Sequence, residues 1–211
     1  MKIKICGLTQ RENIIEILSL NPDFIGFIFY PFSPRYFQLE NLNGIDFGKT
    51  KKTGVFVNEK PEIVLTIAEK FNLDFIQLHG TESPEYCRKL KENGIKIIKT
   101  FSVHPDFNFD ETIPYSEYCG YFLFDTKVSG FGGSGKKFNW DLLNNYHNQV
   151  PFFVSGGISE NDADSLIELK PKFNTMTGAD INSCFESSPG IKNSLSCMNF
   201  IKQLNNKLQL K

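Results

Sequence analysis

The sequence has no apolar stretch approaching the about 20 residues that cross a bilayer, and its opening MKIKICGLTQ has no signal-peptide core. It has no Cys-x-x-Cys pair. Cys6, Cys87, Cys119, Cys184 and Cys197 are odd in number and widely spaced, which argues against a disulfide framework and a zinc ribbon. It has no surplus of charge either. Lys plus Arg number 23 and Asp plus Glu 24, for a formal charge of -1. Bulk electrostatics therefore favour neither nucleic acid nor an anionic membrane. Histidine is scarce: His79, His104 and His147 lie far apart, with no His-Glu-x-x-His pattern, so no metal centre is expected. No Gly-x-Gly-x-x-Gly follows the first apolar run, so no dinucleotide cofactor is expected. The reading left standing is a cytoplasmic protein of a reducing compartment, with room for a small anion at a local site.

What is present is globular. The 211 residues are 40% apolar and 22% charged, enough for one domain with a sizeable core. Phenylalanine is abundant at 21 residues, which affects packing and carries no chemistry. Short apolar runs recur at 2–6, 24–29, 54–57, 75–78, 96–100, 121–124, 152–155 and 175–181. Most are continuous, as in strands buried on both faces. Helical spacing separates them. Thr9 with Glu12 reads as a capping box before Ile14, Ile15, Ile17 and Leu18. Pro61 opens a run ending near Phe71, and Ser83-Pro84 opens one that Gly94 stops. Shorter candidates lie at 140–146 and after Ser159, whose partner in a cap is Asp162. The stretch 194–208 closes the chain with Leu195, Met198, Phe200, Ile201 and Leu204. The connections after the second and fifth strands lack a strong helical pattern.

Eight βα units of roughly 26 residues fit a compact α/β fold, a parallel eight-stranded (β/α)8 TIM barrel with outer helices, as one domain over 1–211. A doubly wound open sheet is the rival, since alternation alone does not separate the two.

A barrel builds its site at the C-terminal strand ends, and the polar and glycine-rich positions fall there. Cys6, Gly7 and Thr9 follow the first strand, and Ser33, Pro34 and Arg35 the second. His79 and Gly80 follow the fourth. Asp125 and then the stretch 129–137 (SGFGGSGKK) follow the sixth, Gly156 and Gly157 the seventh, and Asn182 and Ser183 the eighth. Each has an ordinary reading beside the chemical one. Cys6 is a small buried hydrophobe by position, although a helix start just beyond it would lower its pKa. Asp125 is a turn residue, or a carboxyl at the barrel mouth beneath a glycine-rich lid. Arg35 is a solvated charge, or a fork for a planar carboxylate or phosphate. Gly156 and Gly157 form a tight turn, or the phosphate site usual after a seventh barrel strand. The GGSGK at 132–136 is followed by Lys137 instead of Ser or Thr, so it is no phosphate loop.

Taken together, KICGLT (4–9), GFIFYPFSPRY (26–36), GVFVNEKP (54–61), IQLHGTE (76–82), LFDTKVSGFGGSGKKFNW (123–140), VSGGISENDA (154–163), GADINSCFE (178–186) and PGIKN (189–193) resemble the phosphoribosylanthranilate isomerase family. The resemblance spans essentially the whole chain. It implies a (β/α)8 barrel in tryptophan biosynthesis that acts without a cofactor on one small-molecule phosphosugar, as a monomer or homodimer. It places a general base on Cys6, a general acid on Asp125 and an anthranilate-carboxylate contact on Arg35. It places phosphate contacts on Gly156, Gly157 and the stretch around Asn182 and Ser183. Asp180 becomes an acid near the ribose, and His79 lines the floor.

One unit departs from the family. Where Val-Asp-Val-Ser-Ser-Gly-Val-Glu is usual, this chain reads Ala-Asp-Ile-Asn-Ser-Cys-Phe-Glu. If the replaced glycine needs a positive φ, Cys184 is strained there and phosphate contact is weakened. Two other phosphosugar barrels are rivals. A ribulose-phosphate epimerase would need a His–Asp metal site, and an indole-glycerol-phosphate synthase would need a lysine and a glutamate at strand ends, of which Lys99 supplies only one. A barrel that binds a phosphorylated ligand without turning it over is a rival of another class.

Overall fold

The computed structural model describes residues 1–38, 40, 42–126 and 139–208. Eight strands lie side by side in chain order: β1 (Lys2–Cys6), β2 (Phe24–Ile28), β3 (Lys51–Phe56), β4 (Phe75–Leu78), β5 (Ile97–Val103), β6 (Tyr121–Thr126), β7 (Phe152–Val154) and β8 (Met176–Ile181). Every pairing is parallel, and β1 pairs with both β2 and β8, so the sheet closes on itself. Lys4 stands opposite Phe24 on one side and Asp180 on the other. Closure excludes the open doubly wound sheet. Each apolar run read from the sequence is a strand, because a strand enclosed by helices outside and side chains inside is apolar on both faces.

The barrel axis changes character from one end to the other. At the N-terminal end Phe24, Phe75, Tyr121 and Phe153 pack with ring centroids 5.3–6.0 Å apart, mostly edge to face. Above this aromatic plug come the buried polar side chains of Lys4, Gln77, Thr100 and Asp180. This is one use of the abundant phenylalanine. The other is outside β5, β6 and β7, where Phe109, Phe122, Phe124, Tyr146 and Phe152 form a second cluster with centroids 5.1–6.3 Å apart. Among the described residues, the connections over this cluster carry the 3-10 segments Phe109–Tyr115 and Trp140–Asn145.

The α-helices are α1 (Arg11–Leu18), α2 (Pro61–Phe71), α3 (Pro84–Glu92), α4 (Ala163–Leu169) and α5 (Ser194–Leu208). Pro61 stands at the start of α2. Ser83 caps α3 by accepting the Tyr86 N–H at 3.2 Å, and Gly94 ends that connection at φ +80°. Ser159 and Asp162 form their capping box, with a 3-10 turn at Glu160–Asp162 leading into α4. Two expectations fail. Gln10, not Thr9, precedes α1, and no side chain caps it. The Thr9 hydroxyl instead donates to the Gly190 carbonyl at 3.0 Å, tying the loop after β1 to a two-stranded hairpin, β9 (Glu186–Ser188) and β10 (Ile191–Lys192). Leu195, expected inward on α5, is 59% exposed. Among the described residues no helix is long and apolar enough to cross a membrane.

Closure depends on a glycine at the seam. Gly178 of β8 pairs with Lys2 of β1, and a Cβ at Gly178 would lie 1.8 Å from the Lys2 carbonyl oxygen. That atom is backbone and cannot withdraw without breaking the ladder. Gly178→Ala should therefore cost at least about 3 kcal/mol in urea unfolding. Gly120→Ala, whose Cβ would find its nearest neighbour at 3.8 Å, should stay within about 0.5 kcal/mol of wild type. Equal midpoints for the two variants would contradict this account of the seam.

Candidate active site

The C-terminal ends of the strands surround one pocket, and all nine side chains or glycines selected from the sequence line it: Cys6, Arg35, His79, Asp125, Gly156, Gly157, Asp180, Asn182 and Ser183. Ile28, Tyr30, Val55, Val57, Gln77, Ser155 and Ile158 share the wall. Chain geometry explains the convergence. Strand side chains alternate, so positions two apart such as Lys4 and Cys6, or Gln77 and His79, point to the same side.

Cys6 ends β1 opposite Gly26 of β2. A Cβ at Gly26 would lie 2.6 Å from the Cys6 Sγ, so that glycine makes room for the thiol. Below it the Lys4 ammonium and the Asp180 carboxylate meet at 2.9 Å, both buried. The Cys6 thiol is pushed above its ordinary pKa, first by burial and further by Asp180, with Lys4 pulling the other way. This corrects the expectation of a helix-lowered thiol, because α1 begins only at Arg11. Burial likewise raises the Asp180 carboxyl, against the pull of Lys4.

Asp125 lies near the end of β6. Its Oδ1 accepts the Thr126 N–H at 2.8 Å, and its Oδ2 is 3.3 Å from the His79 Nε2. Gly156 and Gly157 are in the left-handed region at φ +85° and +63°. A Cβ on Gly156 would lie 2.6 Å from the Asp125 Oδ1 and 2.3 Å from the Thr126 Oγ1. Glycine is therefore required there both by the backbone angle and by the acid beside it.

Arg35 is no solvated charge. It is 8% exposed, and its Nε and Nη2 make a two-pronged pair with Glu186 at 2.7–3.0 Å. Lys192 reaches the same carboxylate at 2.5 Å and the Asn182 Oδ1 at 2.6 Å. Burial opposes the charge on Glu186, but Arg35 and Lys192 outweigh it and hold its pKa below the usual range. Burial lowers the pKa of Lys192 itself. Asn182, the departure from the family pattern, thus has a structural partner. Cys184 is exposed and absent from the left-handed residues, so the feared backbone strain at that position does not arise.

Four polar neighbours of the pocket residues were missed in the sequence: Lys4, Gln77, Glu186 and Lys192. Lys4 had a signal, a lysine between two buried isoleucines that needs an internal counter-charge. Lys99 is buried against Glu82 at 3.1 Å and lies outside the pocket, which removes the lysine that the synthase rival offered. The glycine-rich stretch 129–137, expected as a lid, lies outside the described residues.

Known proteins of one family resemble this chain in sequence and in fold. The sequence profile of the family described as N-(5'phosphoribosyl)anthranilate (PRA) isomerase matches residues 3–203. The N-(5'-phosphoribosyl)anthranilate isomerase of Phocaeicola vulgatus is 43% identical, covering 99% of this chain and 100% of its own length. Among solved structures, monomers of the dimeric phosphoribosylanthranilate isomerase of Thermotoga maritima superpose with a TM-score of 0.81 at 31% identity, over 98% of this chain and 99% of that one. A phosphoribosyl anthranilate isomerase in complex with reduced 1-(o-carboxyphenylamino)-1-deoxyribulose 5-phosphate superposes with a TM-score of 0.77 at 29% identity, with the same coverage.

The raised Cys6 thiol has a measurable consequence. A thiol with a raised pKa holds less thiolate than an exposed one at neutral pH, and the gap narrows as the solution becomes alkaline. In iodoacetamide labelling followed by peptide mass mapping, Cys184 should react at least about tenfold faster than Cys6 at pH 7, with a smaller ratio at pH 9.5. Equal rates at pH 7 would contradict the assigned direction.

Proposed function

The chain belongs to the N-(5'-phosphoribosyl)anthranilate isomerase family, and on that premise we propose that it converts N-(5-phosphoribosyl)anthranilate into 1-(2-carboxyphenylamino)-1-deoxyribulose 5-phosphate. This Amadori rearrangement is a step of tryptophan biosynthesis, and the proposed mechanism is general acid–base catalysis without a cofactor. The observation that carries the reading is the convergence of a thiol and a carboxyl on one pocket, with a guanidinium on its wall and two left-handed glycines at its rim.

The chemistry runs in two proton transfers. Asp125, protonated, gives its proton to the ribose ring oxygen. The C1'–oxygen bond breaks as the anthranilate nitrogen lone pair forms the C1'=N double bond. That iminium acidifies the proton on C2'. Cys6 as thiolate removes it, and the C2'–H electron pair becomes the C1'=C2' bond of an enolamine. Transfer of the C2' hydroxyl proton to the Asp125 carboxylate and of the Cys6 thiol proton to C1' completes the ketone and restores both groups. Burial raises the Cys6 thiol, so the reactive thiolate forms by loss of the thiol proton to solvent at the pocket mouth, and the positive charge of the iminium and the Lys4 ammonium favour it.

Arg35 offers its Nη1 side to the anthranilate carboxylate, while Glu186 holds the rest of the fork. Gly156, Gly157, Asn182 and Ser183 take the phosphate, and Asp180 and His79 border the ribose. The enzyme works in the cytoplasm as one barrel domain over 1–211. It has no nucleic-acid or membrane partner, and it is a monomer or, as in the relative from Thermotoga maritima, a dimer.

The test is loss of anthranilate-type fluorescence from freshly generated phosphoribosylanthranilate. Wild type should turn the substrate over rapidly. Cys6→Ser and Asp125→Asn should each lower kcat/KM by at least about 100-fold, the usual contribution of a positioned acid or base. A wild type no faster than its variants that still binds phosphate analogues would identify a silent binding barrel instead.

A further inference from the structure

Asn182 lines the pocket, and its amide is turned by a buried cation. The Lys192 side chain is fully buried. Its ammonium donates to the Asn182 Oδ1 at 2.6 Å, to the Asn182 carbonyl at 3.3 Å and to the Glu186 Oε1 at 2.5 Å. An ammonium has three donors and no acceptor, so all three are used. The amide meets it only through oxygen, because the reversed amide would set Nδ2 against Nζ, donor against donor. Lys192 is itself fixed: Asn13 of α1 accepts its backbone N–H at 2.7 Å and donates to its carbonyl at 2.8 Å. Gly7 clears the space beside the amide. A Cβ there would lie 2.7 Å from the Asn182 Oδ1 and 2.8 Å from the Arg35 Cδ.

With the oxygen held, the corner of the amide left over is Nδ2. Among the described residues it has no hydrogen-bond partner, and it is not buried. We propose that Lys192 is a positioning residue that turns the Asn182 amide so that its Nδ2 donates to the substrate phosphate. The inference rests on the reading that Gly156, Gly157, Asn182 and Ser183 take that phosphate. It adds the polarity of one contact and the residue that sets it.

A phosphate offers acceptor oxygens. An amide that nothing holds presents oxygen as readily as nitrogen, and an oxygen there would repel the anion. Held by Lys192, Asn182 presents only its N–H2, polarised further because its oxygen accepts from a cation. Glu186, shared between Lys192 and Arg35, keeps the ammonium at the amide oxygen.

The test is the Kd for inorganic phosphate, read from amide chemical shifts of 15N-labelled protein, for wild type, Lys192→Met, Asn182→Ala and the double variant. Lys192→Met leaves Glu186 paired with Arg35 and with the Gly190 N–H at 3.1 Å. It should weaken phosphate at least about tenfold in the wild-type background, the scale of a charge-assisted hydrogen bond. In the Asn182→Ala background the same change should weaken it by a factor at least about threefold smaller, because only the charge of the ammonium is left to act. A merely structural lysine would lower the urea midpoint and leave the phosphate Kd alone. Equal factors in the two backgrounds, or no effect of Lys192→Met, would overturn the inference. The second measurement needs no variant of Lys192. In wild type the Asn182 side-chain N–H2 signals, assigned by their loss in Asn182→Ala, should shift with phosphate and saturate together with the Gly156 and Gly157 backbone N–H signals. If the glycine signals move and the Asn182 pair does not, the inference falls and the phosphate reading stands. If none of them moves, the phosphate reading falls and the inference with it.

Discussion

The ion pair between Lys4 and Asp180, 2.9 Å apart and buried, is the interaction on which the rest of the site depends. It joins β1 to β8, the first strand to the last, at the seam where the barrel closes. Burying two charges costs several kcal/mol each before their attraction repays it, and losing one partner leaves the other uncompensated, a loss of roughly 3–5 kcal/mol. The register that closes the barrel is therefore also the register that keeps these charges paired. A slip of one residue would point Lys4 into the outer apolar layer. The same two charges are the nearest strong influences on the Cys6 thiol, two residues along β1.

The aromatic plug gives that pair its leverage. Phe24, Phe75, Tyr121 and Phe153 close the bottom of the axis with apolar surface, so the layer above sits on a poorly polarisable base. Electrostatic effects there are stronger than at a wetted surface. Each polar side chain in that layer needs a specific partner, and most have one. The Glu186–Arg35–Lys192 network solves the same problem on the rim. Two cations and one carboxylate leave a net positive patch beside the pocket, the sign that an anionic substrate requires.

The eight strands were legible because burial on both faces leaves continuous apolar runs, and helices such as α2 and α3 because Pro61 and Ser83-Pro84 are local signals. What the sequence hid is non-local. Thr9 looks like a cap until the Gly190 carbonyl, 181 residues away, takes its hydroxyl. Arg35 looks solvated until Glu186 arrives from 151 residues on. Cys6 looks activated by a helix because the sequence shows order along the chain and not depth. Its burial, which sets the thiol's direction, comes from the whole barrel. Gln77 looks like a strand filler until the fold sets its Nε2 2.9 Å from the His79 Nδ1.

The central claim is that the buried pair at the seam tunes the base of the proposed reaction. The most direct test is the pH dependence of the rate at which iodoacetamide labels Cys6, which follows its thiolate fraction, measured for wild type and Lys4→Met. Lys4 lowers the Cys6 pKa more than Asp180 raises it, and without Lys4 the buried Asp180 takes up a proton and loses its charge. The account predicts that the midpoint of Cys6 labelling moves to higher pH in Lys4→Met. A labelling midpoint that does not move in a folded Lys4→Met protein would contradict it.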